Sequence, residues 1–129
     1  MYRLILFLVL LLPIGVSGQR LIFCEKVDQS GNEINPASLF YIDAKGGFFT
    51  ALVKAGENLT VDEVVYDLYL IDEKTGKEIF NSSIRMKVSR GVSWFYKEIT
   101  FYKSGTYHVY VYDTMDKLLA VGKVNVAFR

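Results

Sequence analysis

The chain of 129 residues carries 15 Lys and Arg against 14 Asp and Glu, so it has no field with which to gather nucleic acid or an anionic membrane surface. It is 51% hydrophobic and 15% aromatic, and no charge block, low-complexity tract or internal repeat interrupts it, which excludes the disordered and solenoid classes. A single cysteine, Cys24, rules out an intramolecular disulfide, and with a single histidine, His108, it supplies too few ligands for a zinc site.

Residues 1–18 read as a signal peptide. Arg3 gives the positive start, residues 4–12 form an unbroken apolar run, Pro13 ends it, and Val16 and Gly18 occupy the positions a signal peptidase reads. Cleavage is expected before Gln19. The apolar run falls short of the roughly 20 residues a membrane helix needs, so no integral span is expected after cleavage. Removal takes Arg3 and no acidic residue, leaving the two charge signs balanced, and residues 19–129 have the length of one ordinary domain. The expected location is the periplasm or the extracellular space.

Beyond residue 18 no stretch keeps a helical period, whereas Val, Ile, Tyr and Phe alternate repeatedly with polar residues. The first strand, 20–27, carries Cys24 as a buried thiol; Leu21, Ile22 and Phe23 before it, with Arg20, are the wrong residues for a lipidation site. A loop over 28–38 holds Gly31, Asn32, Asn35 and Pro36 as turn residues. Short strands at 39–42 and 48–54 flank a turn at Lys45, Gly46 and Gly47, and a polar loop, 55–60, leads to the longest strand. That strand, 63–71, sends Val64, Tyr66, Leu68 and Leu70 to the core and Val65, Asp67, Tyr69 and Ile71 outward.

A turn with Thr75 and Gly76 follows, and strand 78–88 is placed at a sheet edge because Asn81, Ser82 and Ser83 occupy its middle. Arg90 and Gly91 form a basic, flexible hinge before strand 93–101, which puts Trp94 and Tyr96 on one side and Phe95, Ile99 and Phe101 on the other. Strand 105–112 sends Tyr107, Val109 and Val111 inward and His108, Tyr110 and Tyr112 outward; a turn at 113–117 and a last strand, 118–128, follow. Seven or eight strands with no bridging helix predict an all-β, antiparallel sandwich.

The run Ser104-Gly105-Thr106-Tyr107-His108-Val109-Tyr110-Val111 resembles the penultimate strand of immunoglobulin-like and fibronectin-type domains. The resemblance, carried mainly by residues 98–128, implies an immunoglobulin-like sandwich in which Tyr107 forms a corner by bonding upstream backbone. The paired cysteines of antibody domains are absent, Val109 standing at the second, and Trp94 comes too late for the usual core tryptophan. The leader followed directly by glutamine resembles exported proteins of the Bacteroidetes type, where the sequons at Asn58 and Asn81 would stay unmodified; in a eukaryotic secretory route they would mark surface positions.

Chemistry is sparse. His108 is the one available general base and sits in mid-strand, where an imidazole on a sheet face is the simpler reading. Asp72 with Glu73, and Asp113 with Asp116, form oxygen-rich turns without the spacing of a calcium loop. Asp62, Glu63, Asp67 and Glu98 read as charges on a solvated sheet face before they read as a glycosidase pair. Gly46-Gly47 lies between strands, so no phosphate loop and no cofactor are expected.

Aromatic content stands out. Tyr69, Tyr110 and Tyr112, with His108 and Asp67 beside them, form a candidate binding face, unless the tyrosines only stabilise the sheet. Arg90, Trp94 and Tyr96 form a candidate binding loop, unless Trp94 is the core aromatic. The function expected is an exported, non-catalytic binding or assembly module for another envelope or extracellular protein, or for a glycan. The alternative is a small hydrolase or metal-dependent enzyme.

Overall fold

The computed structural model describes residues 20–129, so the expected signal peptide lies outside the described residues. Nine strands follow one another: β1 (Arg20–Val27), β2 (Glu33–Pro36), β3 (Leu39–Ile42), β4 (Gly47–Lys54), β5 (Glu63–Ile71), β6 (Glu78–Lys87), β7 (Trp94–Phe101), β8 (Gly105–Asp113) and β9 (Leu118–Phe128). They form a four-stranded sheet, β2-β1-β4-β7, and a five-stranded sheet, β3-β9-β8-β5-β6. This division, with β1, β4 and β7 facing β9, β8, β5 and β6, is that of an immunoglobulin-like sandwich.

Alternation decides what fills the core. Val64, Tyr66 and Leu68 from β5 and Tyr107, Val109 and Val111 from β8 are buried against Phe49, Ala51 and Val53 from β4 and Phe95, Ile99 and Phe101 from β7. A chain of rings ties the layers together: Phe40 stacks on Phe49 at 4.0 Å, Phe49 on Phe101 at 4.6 Å, and Phe101 meets Tyr107 edge-on at 4.9 Å. The Tyr107 hydroxyl donates to the Lys103 carbonyl at 2.8 Å, which is the corner the resemblance implies. Tyr66 stands on the strand where antibody domains bury a tryptophan and meets Phe95 edge-on. Its hydroxyl has no partner among the described residues, and burial pushes its pKa well above the ordinary tyrosine value.

Two details differ from the expectation of consecutive antiparallel strands. β3 and β4 flank the predicted turn, where the Gly46 N–H donates to Asp43 at 2.8 Å, but they enter different sheets, and β3 runs parallel to β9. A four-residue strand carries too short a pattern to specify its partner, and β9 supplies a free edge there. The segment expected as a loop over 28–38 contains β2, which pairs with the second half of β1.

That hairpin also bends. Arg20 of β1 pairs with Lys54, while Glu33 of β2 pairs with Val27, seven residues further along. In a straight strand those positions stand about 23 Å apart, beyond the reach of a lysine side chain. Yet the Lys54 ammonium lies 3.0 Å from the Glu33 carboxylate. The β1–β2 hairpin therefore folds back over the outer face of its own sheet.

Candidate binding faces

The outer face of the five-stranded sheet receives Val65, Asp67 and Tyr69 from β5 and His108, Tyr110 and Tyr112 from β8, because their neighbours face the core. Antiparallel register places Tyr69 opposite His108 and Asp67 opposite Tyr110. Register counted from the β5–β6 turn places Phe80 of β6 opposite Tyr69 on this face, and a bulge next to it shifts the pairing of the rest of β6. The rings form a row: Phe80 and Tyr69 meet edge-on at 5.7 Å, Tyr69 and Tyr110 edge-on at 5.5 Å, and Tyr110 and Tyr112 lie near-parallel at 6.5 Å. Phe80 is 58% exposed and the three tyrosines are half-buried against one another. Phe80 is the missed member of this face, and the signal for it is register counted outward from the Thr75-Gly76 turn, which pairs it with Tyr69.

His108 is engaged on this face. Its Nδ1 lies 2.6 Å from Glu78 Oε2, the same oxygen that accepts the Tyr110 hydroxyl. Glu78 thus braces the edge strand β6 to β8 across β5. The Tyr110 bond, then the His108 bond, hold the Glu78 carboxyl below the usual range. The same bond to Glu78, with burial adding, pushes Tyr110 up to about 12. At the Tyr112 end the face opens into a hollow of about 640 Å³, where Glu63, Asp67, Asp113 and Asp116 stand against one cation, Arg85.

The other candidate set separates. Arg90 is exposed in the β6–β7 loop, and the expected hinge is tied down: the Gly91 N–H donates to Leu59 and the Leu59 N–H to Val92, both at 2.8 Å. Trp94 and Tyr96 lie on the outer side of β7, Tyr96 47% exposed, so Trp94 is not the core aromatic. Trp94 instead lies against the tip of the folded hairpin. Gly31, at φ +85°, leaves no room for a side chain, because a Cβ there would stand 2.5 Å from the indole.

Beneath the hairpin, Cys24, Thr50 and Leu52 point away from the core and are still buried. The thiol is raised by that burial and lies on the opposite sheet from His108, so the two form no pair. Asp72 and Asp113 organise their own turns, Asp113 Oδ1 accepting the N–H groups of Met115 and Lys117 at 2.8 and 3.0 Å. Glu63 pairs with Arg85 at 3.1 Å, Asp67 accepts the Ser83 hydroxyl at 2.6 Å, and Glu98 belongs to the other sheet. Among the described residues no three His, Cys, Asp or Glu side chains are grouped to hold a metal, and no helix is long and apolar enough to cross a membrane.

No protein-family model and no curated protein matches the chain. Solved structures do resemble it. An immunoglobulin-like protein from Pseudomonas aeruginosa superposes with a TM-score of 0.50 at 17% identity, over 82% of this chain and 90% of that one. BslA, a bacterial hydrophobin, superposes with a TM-score of 0.51 at 12% identity, over 86% of this chain and 99% of that one. A superoxide reductase from Ignicoccus hospitalis overlaps more loosely, with a TM-score of 0.42 at 10% identity over 84% and 82%. The first likeness shows a shared immunoglobulin-like sandwich and the second a shared fold, and a shared fold carries neither ligand nor activity with it.

Proposed function

We propose that this protein is an exported, non-catalytic binding or assembly module whose five-stranded sheet captures another envelope or extracellular protein. One observation carries the reading: the row Phe80, Tyr69, Tyr110 and Tyr112 lies across three strands with no described residue covering it. Rings held by their neighbours lose little freedom on binding, and their polar tips suit a surface that is wet when free and dry when occupied. The carboxylates around Arg85 at one end favour a partner with basic side chains beside its apolar contact. His108, held by the Glu78 oxygen that also accepts the Tyr110 hydroxyl, serves as a strut of this face rather than as a general base.

Replacing Tyr69, Tyr110 and Tyr112 together by serine tests this. With the immobilised mature protein and a native envelope fraction, the triple variant is expected to lose about tenfold or more in affinity for its main partner, with added salt weakening the wild-type complex. Unchanged capture by a folded triple variant would refute the proposed face.

A further inference from the structure

The folded hairpin creates a cleft on the opposite sheet, independent of the aromatic row. Its tip, Ser30 to Asn32, forms one wall, the β4–β5 loop with Glu57 and Asn58 forms the other, and Lys54, Ser93 and Trp94 lie between. The space is about 460 Å³ and opens to solvent, within the roughly 300–1,000 Å³ usual for small-molecule sites. We propose that this cleft binds an uncharged saccharide.

Charge excludes the alternatives. The two ionised residues of the cleft are already neutralised within the protein, Lys54 by Glu33 at 3.0 Å and Glu57 by Lys117. A phosphate or a carboxylate ligand at Lys54 would meet the negative charge of Glu33 already bound there, and beside Glu57 it would meet another. The remaining polar groups are amides and hydroxyls: Ser30, Asn58 and Ser93 make no side-chain hydrogen bond among the described residues, and Asn32 reaches Asp28 only at 3.5 Å. Such groups donate and accept from nearly one position, as the vicinal hydroxyls of a sugar require.

The walls are rigid before any ligand arrives. Asp28 Oδ1 accepts the N–H groups of Ser30 and Asn32 at 2.8 and 2.9 Å, and the Asp28 N–H donates back to Asn32 at 2.9 Å. Gly31 fixes the Trp94 indole. A half-buried aromatic ring in a neutral, preorganised polar cleft supplies an apolar surface for the C–H groups of a sugar at little cost in ordering.

Trp94 is the one tryptophan of the chain and borders both this cleft and a shallower hollow beside Met86 and Tyr96, so its emission follows binding and the variants below assign it to the cleft. Maltose, cellobiose and N,N′-diacetylchitobiose would be titrated against the mature protein, with glucose 6-phosphate and glucosamine as charged comparators. At least one neutral disaccharide is expected to change the emission saturably, the charged sugars binding no more tightly. Asn58→Ala and Ser93→Ala, chosen because neither side chain supports the fold, should each weaken that binding about tenfold while keeping the wild-type emission when free. No saturable response to any neutral disaccharide overturns the proposal, as does tighter binding of a charged sugar or unchanged affinity in both variants. The serine triple variant of the other sheet should bind the sugar normally, so failure of one site is distinguishable from failure of the other.

Discussion

Leu52 and Tyr110 both point away from the core, yet Leu52 is fully sealed and Tyr110 faces solvent. The four-stranded sheet covers its outer apolar residues with its own β1–β2 hairpin, latched by Glu33 on Lys54 and by Trp94 on Gly31. The five-stranded sheet, with its aromatic row, receives no such cover from the described residues. The same chain thus solves the problem of an apolar outer face on one side and leaves it standing on the other. An exposed aromatic surface that folding had the means to cover, and did not, is the stronger sign of an external partner.

The sharpest way to break this contrast is Leu52→Ala. If the hairpin truly seals the face, the variant leaves a cavity and should lose about 2–4 kcal/mol in denaturant unfolding followed by Trp94 emission. A loss below about 1 kcal/mol would mean that the face is as open as its counterpart. Tyr107→Phe, which belongs to neither face, sets the scale: losing the bond to Lys103 should cost about 0.5–1.5 kcal/mol in the same measurement.

The smallest expected effects are titrations, one per face. Backbone N–H groups from Asn32, then Ser30, hold the Asp28 carboxyl below its ordinary range, and Tyr110, then His108, do the same for Glu78. Both are depressed acids, so what they contribute is present above the usual carboxylate pKa and is lost as pH falls through the lowered values. The amide signals of Ser30 and Asn32 should move on acidification only below the ordinary aspartate range; movement within it would show a loose hairpin tip. Tyr110 has the opposite sign, because its pKa is raised. Its contribution is complete below pH 10, the unfolded value, and fades as pH rises through about 12, which tyrosinate absorbance would follow.

Much of this was legible without coordinates. Alternation along 63–71 and 105–112 assigns every inward and outward residue of β5 and β8, so the positions of Tyr69, His108, Tyr110 and Tyr112 follow from period two alone. The hairpin was not legible as a cover, because its strand is four residues long and its bend is a tertiary event. A trace of it does exist in the unbroken run Phe48-Phe49-Thr50-Ala51-Leu52-Val53, where five consecutive buried residues replace the expected alternation. A strand apolar on both sides has both sides covered. Trp94 gives no comparable warning, since the neighbour that fixes it is a glycine 63 positions earlier, at a turn whose left-handed backbone appears only in three dimensions.

The place of β9 has a consequence in time as well as in space. It is the last strand in chain order, yet it lies inside its sheet, antiparallel to β8 on one side and parallel to β3 on the other. Until residues 118–128 arrive, β3 has no hydrogen-bonding neighbour and β8 is an open edge. Closing β3 on β9 joins segments nearly ninety residues apart, the kind of pairing whose loop entropy slows folding. Folding that proceeds from the N-terminal side therefore cannot close the five-stranded sheet before residues 118–128 are present, so this sheet assembles late and around its last-made strand.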